Sequence, residues 1–307
     1  MISPITGTPN VILERTIPTK DIVEGYRSVY NIDVSSNFKD VEFIELYKCQ
    51  ASGLFFYSPS SISGSESFYE ELQKIPWYYQ QWKWEYQIVM DNFKGANSLL
   101  EIGCGDGAFL AEMSKSGTDC LGLELNNQAV LAGKKRNVNI INSTIEKYVN
   151  ETANTFDVVC SFQVLEHVAD VKSFLESSLK ALRKGGRLVF AVPNNDILFF
   201  KYRNFKFKHD HYLKTLLLNL PPHHMGLWTP QSIVSLSSIY NLKFESLFKE
   251  PLNHHRKQLV ESILIEKFVV GKVIARFPRR MQEWLFQQIF ASEFEYADTM
   301  IAVFVKE

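Results

Sequence analysis

The chain has few cysteines, four among 307 residues: Cys49, Cys104, Cys120 and Cys160. Thiols so sparse build no disulfide framework, and they fit a reducing, cytoplasmic setting as small buried residues. An excess of one charge is also missing. A formal net charge of −1 supplies no broad field for nucleic acid, so no nucleic-acid partner is expected. No apolar run reaches the length that spans a bilayer, and no basic segment followed by an apolar core opens the chain. Neither a transmembrane segment nor a secretory signal is therefore expected. Internal repeats and low-complexity tracts are lacking too. What remains is 46% hydrophobic and 22% charged, the balance of a globular protein. Its length allows a full core and exceeds one average domain.

The most informative residues are Ser98-Leu99-Leu100-Glu101-Ile102-Gly103-Cys104-Gly105-Asp106-Gly107-Ala108-Phe109-Leu110. An apolar run meets an acid, crosses closely spaced glycines, and resumes with helical spacing. That predicts a strand, a tight turn and a helix N-terminus. Glycines let a ligand approach the backbone, and the first helical N–H groups face it. Gly103, Gly105 and Ala108 loosely satisfy the dinucleotide fingerprint, the mark of a nucleotide-dependent dehydrogenase. Glu101 weighs against that reading. A carboxylate at the strand end faces a pyrophosphate badly and suits a cationic α-amino group.

Four later segments repeat the strand-then-loop pattern. Asp119-Cys120-Leu121-Gly122-Leu123-Glu124-Leu125-Asn126 reads as a second strand ending in an acid, placed where carboxylates grip ribose hydroxyls. Asn139-Ile140-Ile141-Asn142-Ser143-Thr144-Ile145-Glu146 reads as a short third strand and its exit loop. Thr155-Phe156-Asp157-Val158-Val159-Cys160-Ser161-Phe162-Gln163 is a fourth strand, followed by Val164-Leu165-Glu166-His167-Val168. The stretch 179–193 predicts a helix, a Gly185-Gly186 turn and a fifth strand. With the glycine loop, Phe-Asp-Val-Val and Leu-Glu-His-Val, residues 99–193 resemble class I S-adenosylmethionine-dependent methyltransferases.

That resemblance implies an α/β fold, a Rossmann-like seven-stranded sheet flanked by helices. Strand six falls at 242–247 and an antiparallel strand seven at 297–305. It implies S-adenosyl-L-methionine as cofactor. The contacts would come from Glu101, Gly103, Cys104, Gly105 and Gly107, then Glu124, Leu125 and Asn126, then Thr144 and Ile145, then Ser161, Phe162 and Gln163. Asn142 and Ser143 stand where the family often has an acid.

The flanks suggest three parts. Residues 1–60 contain Ser3-Pro4-Ile5-Thr6-Gly7 and Cys49-Gln50-Ala51-Ser52-Gly53, which resemble the Cys-x-x-Cys-Gly turns of a zinc ribbon. Only Cys49 remains of the four ligand positions, and hydroxyls replace thiolates poorly, so a β module without metal is expected. Residues 61–94 form a helical cover dense in aromatics, in which Tyr78 and Tyr79 could reach the methionine part of the cofactor. A packed aromatic seam explains the other rings. Residues 95–307 hold the methyltransferase domain, with insertions at about 196–241 and 253–292. The first insertion contains the basic, aromatic run Lys201–His211 and Pro221-Pro222-His223-His224, a lid ahead of a helix capped by Thr229 with Pro230 at its first position. The second predicts a helix for a homodimer contact, membrane docking or simple core cover.

Methyl transfer to a hydroxyl needs alignment and removal of a proton, and histidine is the usual base near neutrality. The candidates are His224, His223 and His167. No Asn/Asp-Pro-Pro-aromatic motif follows the fourth strand, which argues against nucleobase or protein-amide acceptors. A small molecule or sugar remains, and the layout resembles bacterial methyltransferases of surface glycans and secondary metabolites. Some relatives carry Glu-x-x-Glu-His as metal ligands. Here Gln163 replaces the first glutamate ahead of Glu166 and His167, so no metal is expected. Two alternatives stay open: a non-catalytic cofactor-binding subunit, and a metal-dependent O-methyltransferase using Glu166 and His167.

Overall fold

A computed structural model describes residues 1–75, 78, 82–195, 217–250, 277, 278, 281 and 299–307. Tyr79, the basic run Lys201–His211 and nearly all of the 253–292 insertion lie outside the described residues.

The order of elements is β1 (Val11–Pro18), α1 (Thr19–Tyr30), β2 (Phe43–Cys49), β3 (Phe55–Ser58), α2 (Glu66–Gln73), α3 (Trp84–Phe93), β4 (Ser98–Ile102), α4 (Ala108–Lys115), β5 (Asp119–Leu123), α5 (Asn127–Lys135) and β6 (Asn139–Ile141). Then come α6 (Ile145–Glu151), β7 (Phe156–Phe162), α7 (Val171–Ala181), β8 (Leu182–Pro193), β9 (Gly226–Leu227), α8 (Pro230–Val234), α9 (Leu236–Ile239), β10 (Leu242–Lys249) and β11 (Thr299–Lys306).

Seven strands make one sheet in the order β10-β11-β8-β7-β4-β5-β6. The five strands from β4 to β8 pair in parallel, and β11 runs antiparallel to β8 and β10. This is the Rossmann-like class I methyltransferase arrangement expected from the motifs. Its strands are near-continuous apolar runs because helices cover both faces. Leu99, Leu100, Val159, Leu188 and Phe190 are fully buried. From β4 the chain goes one way to β5 and β6 and the other way to β7 and β8. That switch opens a crevice beyond the carboxyl ends of the strands, where ligands bind in such sheets.

One local expectation is corrected. Gly185-Gly186 is not a turn between helix and strand but lies inside β8. The β7–β8 register shifts there, from Phe156↔Leu182 to Val158↔Arg187. Gly185 has φ +74°, and a Cβ on Gly186 would sit 2.9 Å from the Asp157 carbonyl oxygen. The pair makes a bulge that fits the strand against its neighbour.

The first sixty residues build a second, antiparallel sheet, β1-β2-β3-β9. Its last strand is supplied by Gly226 and Leu227, just after the His-His pair, so the sheet joins the lid directly. The two knuckle-like turns form. Ser3 Oγ accepts from the N–H groups of Ile5 and Thr6, and Gly53 N–H donates to the Cys49 carbonyl at 2.8 Å. Burial pushes the Cys49 thiol up, but hydrogen bonds with Ser3, Ser52 and the Ala51–Ser52 backbone outweigh it and lower its pKa. Ile5, Cys49, Leu54 and Phe56 then share the main core with Leu100 and Leu165. Among the described residues, no helix is long and apolar enough to cross a membrane.

Candidate active site

The glycine loop has the geometry its sequence implies. Gly103, Gly105 and Gly107 have φ of +74°, +55° and +73°. A side chain at Gly103 would strike Val164, and one at Gly107 would strike Val138. A Cβ on Gly105 would meet nothing within 4 Å, so here the loop borders open space. Glu124, just after β5, latches the loop. Its carboxylate accepts from the Gly105 N–H and the Asn126 N–H, both at 2.8 Å. Asn126 caps α5, and Asn142 donates to the carbonyls of Glu124 and Leu125. Leu125 and Ile141 are 61% and 40% exposed, apolar surface at the ends of adjacent strands. Thr144 caps α6, Ile145 packs into the main core, and Cys104 is buried under the loop.

Glu101 lies at the floor of this crevice. It is 1% exposed, and its Oε2 has no hydrogen-bond partner among the described residues. Burial pushes its pKa up to about 8, against the opposing positive charge of Lys83. A buried carboxyl with a vacant acceptor atom is costly, and a cationic ligand group relieves it. These residues therefore fit S-adenosylmethionine. Glu101 would take the α-amino group, the Gly103–Gly107 backbone would admit the ligand, Glu124 would meet the ribose, and Leu125 and Ile141 would flank the base.

The carboxyl end of β7 forms the other wall. Ser161 is fully buried, and Phe162 packs edge-on against Tyr86 and Phe109. Gln163 has φ +58°, a conformation few non-glycine residues adopt, and its side chain donates to Glu85 Oε1 at 2.9 Å. Glu166 is 1% exposed, and burial raises its pKa to about 8. Its carbonyl accepts the N–H groups of Met225 and Gly226, at 2.8 and 3.0 Å.

Those two bonds bring the histidines together. His167 follows β7, and His223 and His224 precede β9. Their ring centroids lie 4.4–5.0 Å apart. Each Nδ1 faces an oxygen: His167 the His223 carbonyl at 2.6 Å, His223 the Leu218 carbonyl at 2.8 Å, and His224 the Asn219 Oδ1 at 3.3 Å. Oxygen acceptors place the proton on Nδ1 and leave Nε2 as the basic nitrogen. On His223 that nitrogen meets the Tyr78 hydroxyl at 2.7 Å. The His167 ring also faces the Gln163 carbonyl, and its Nε2 is 3.9 Å from Glu166 Oε1. Burial lowers all three pKa values. That of His167 falls to about 4, and those of His223 and His224 are lowered by burial and by the neighbouring histidines. All three rings are thus neutral at pH 7.

The expected residues thus fall at the carboxyl ends of β4 to β7, with the histidines after β7 and before β9. Tyr78 reaches the histidine cluster through His223. Four participants were not singled out beforehand: Lys83, whose charge acts on both Glu101 and Glu166, Glu85 on Gln163, Asn219 under His224, and Tyr69, edge-on to His167. Each is an ordinary residue whose partner is distant in sequence, so no local pattern marks it.

The methyltransferase-domain family matches residues 78–247, more than half of the chain. A ubiquinone biosynthesis O-methyltransferase from Aliivibrio fischeri is 30% identical over 117 residues, 36% of this chain and 50% of that protein. One from Vibrio parahaemolyticus is 34% identical over 107 residues, 32% of this chain and 45% of that protein. The chain thus spans about half the length of the curated relatives it matches. The structure of a SAM-dependent methyltransferase from Archaeoglobus fulgidus has a TM-score of 0.51 at 15% identity, covering 79% of this chain and 100% of that one, and shows the shared fold. By its family match, its strand order and its glycine loop, the chain belongs to the class I S-adenosylmethionine-dependent methyltransferases.

Proposed function

We propose that this protein transfers a methyl group from S-adenosyl-L-methionine to a hydroxyl of a small molecule or sugar. When bound, the cofactor supplies an electrophilic methyl on a sulfonium sulfur. Glu101, the glycine loop and Glu124 hold and orient it. The buried wall of Ser161, Phe162 and Gln163 keeps water away and places the acceptor opposite the methyl. Alignment of this kind contributes on the order of 7–11 kcal/mol in the best cases.

The acceptor's proton goes to the histidine cluster. His223 has both ring nitrogens engaged, so it serves as a positioning residue. His224 has its Nδ1 on Asn219 and its Nε2 available, and we assign it as the base. His167 is the second choice because the Gln163 carbonyl faces its ring. Neutrality at pH 7 keeps the lone pair ready. The observation that carries this reading is the packing of the half-buried His167 against the buried, neutral His223 and His224 just after β7.

The aligned O-methyltransferases act in ubiquinone biosynthesis, as their names state, which supports a hydroxyl acceptor. A surface-glycan or secondary-metabolite acceptor, a cytoplasmic location and a homodimer complete the proposal. The test is a panel of nucleotide sugars and phenols incubated with methyl-labelled cofactor. Label in an ether product supports the reading. Tight cofactor binding with no transfer to any acceptor class favours the non-catalytic subunit instead.

A further inference from the structure

We propose that His167, His223 and His224 form a binding site for a divalent transition-metal ion of the zinc type, flanked by the carboxylate of Glu166. Their ligand atoms all lie within 4.8 Å of one another. Around a tetrahedral ion, with metal–nitrogen distances of about 2.0–2.1 Å, ligand nitrogens sit about 3.3 Å apart. Ring rotation brings the cluster to that spacing; the His223 and His224 rings, which stack at 19°, open so that their nitrogens converge.

Three further observations point to an ion. First, every Nδ1 faces an oxygen: the His223 carbonyl, the Leu218 carbonyl or Asn219 Oδ1. Metal-bound imidazoles carry this outer bond, which fixes the tautomer and the ring plane. Second, Glu166 is 1% exposed, its Oε2 has no hydrogen-bond partner, and its Oε1 is 3.9 Å from His167 Nε2. A buried carboxylate oxygen without a donor is costly, and an adjacent cation offsets that cost. Third, an ion would displace only two contacts of the rings, the Tyr78 hydroxyl at His223 Nε2 and the Gln163 carbonyl at His167.

The donor set also chooses the ion. Three imidazoles beside one carboxylate favour Zn²⁺, Co²⁺ or Ni²⁺ over Mg²⁺, which prefers oxygen ligands. The carboxylate-rich Glu-x-x-Glu-His arrangement is not reproduced, because Gln163 is turned to Glu85. An ion here and the acceptor's proton compete for the His224 lone pair. Binding of the ion can therefore be judged apart from the proposed function, which supplies only its consequence for turnover.

The test uses the full chain stripped with a chelator and titrated with Co²⁺. The expected result is one Co²⁺ per chain with the intense visible absorption of a four-coordinate site, displaced by Zn²⁺. Asn219→Ala should weaken Co²⁺ binding about 10–100-fold, the usual effect of losing an outer partner. His224→Gln and His167→Gln should abolish the band while still binding S-adenosylhomocysteine in calorimetry, which shows that they fold. Zinc-edge X-ray absorption of the unaltered protein should count about three imidazoles and no sulfur, and it needs no variant. No stoichiometric uptake, a sulfur scatterer that places the ion at Cys49, or an unchanged band in both histidine variants would overturn the proposal. Failure to bind S-adenosylhomocysteine would count against the proposed function and leave the metal result standing.

Discussion

Replacing Glu101 with glutamine should change how cofactor affinity depends on pH. Glu101 is buried, one of its oxygens lacks a partner, and desolvation holds its pKa near 8 despite Lys83. An α-ammonium group binds the ionised carboxylate, so below pH 8 each binding event must first remove a proton from Glu101. That costs about 1.4 kcal/mol per pH unit. From pH 8 to pH 6, affinity for S-adenosylhomocysteine should fall by up to about a hundredfold. Calorimetry in buffers of different ionisation enthalpy should count close to one proton released at pH 6–7. Glu101→Gln removes the charge-assisted bond, weakening binding at pH 8 by about 1.5–3 kcal/mol, and it should flatten the profile. Stability moves the other way. The folded pKa lies above the ordinary 4.5, so the stabilisation from the protonated carboxyl is complete below pH 4.5 and is lost as pH rises through 8. The ligand-free glutamine variant should therefore melt above the unaltered protein at pH 8. A flat profile in the unaltered protein, or equal affinities of the two at pH 8, would refute the assignment.

Gly105→Arg should abolish S-adenosylhomocysteine binding in calorimetry, because the side chain enters the open space beside the loop. Glu124→Ala should weaken it by about 1.5–3 kcal/mol, since Glu124 latches the loop as well as facing the ribose. His224→Ala should lower turnover of an identified acceptor about 10²–10⁴-fold with cofactor affinity nearly unchanged; loss of cofactor binding would make His224 part of the cofactor wall. Cys49→Ser should leave the metal content of the purified protein unchanged by elemental analysis, because Ser3, Thr6 and Ser52 fill the other ligand positions; a fall would show that the amino-terminal turns do hold an ion.

Where physical constraints are local, the sequence by itself determined the result. The β4 loop was legible because strand, glycines and helix start are contiguous, and positive φ at Gly103, Gly105 and Gly107 has a residue-level cause. The Thr229 cap was legible for the same reason, and it forms as a capping box with Ser232. The parallel order of β4 to β8 followed from alternating strands and helices with short connections. The Gly185-Gly186 pair was misread because a bulge and a turn share one local signature, and only pairing with β7 distinguishes them. The candidate active site divides along the same line. Glu101 and Glu124 announced themselves by their place at strand ends. The convergence of His167 with His223 and His224 did not, because it depends on the Glu166 carbonyl accepting two N–H groups from a loop far along the chain. The same holds for Glu85 on Gln163 and for the amino-terminal sheet taking its last strand from Gly226 and Leu227. Short-range sterics and capping act between neighbours and leave a pattern in the residues themselves. Which distant hydrogen bonds close, and which carboxyl is left buried without a partner, is decided only when the whole core packs.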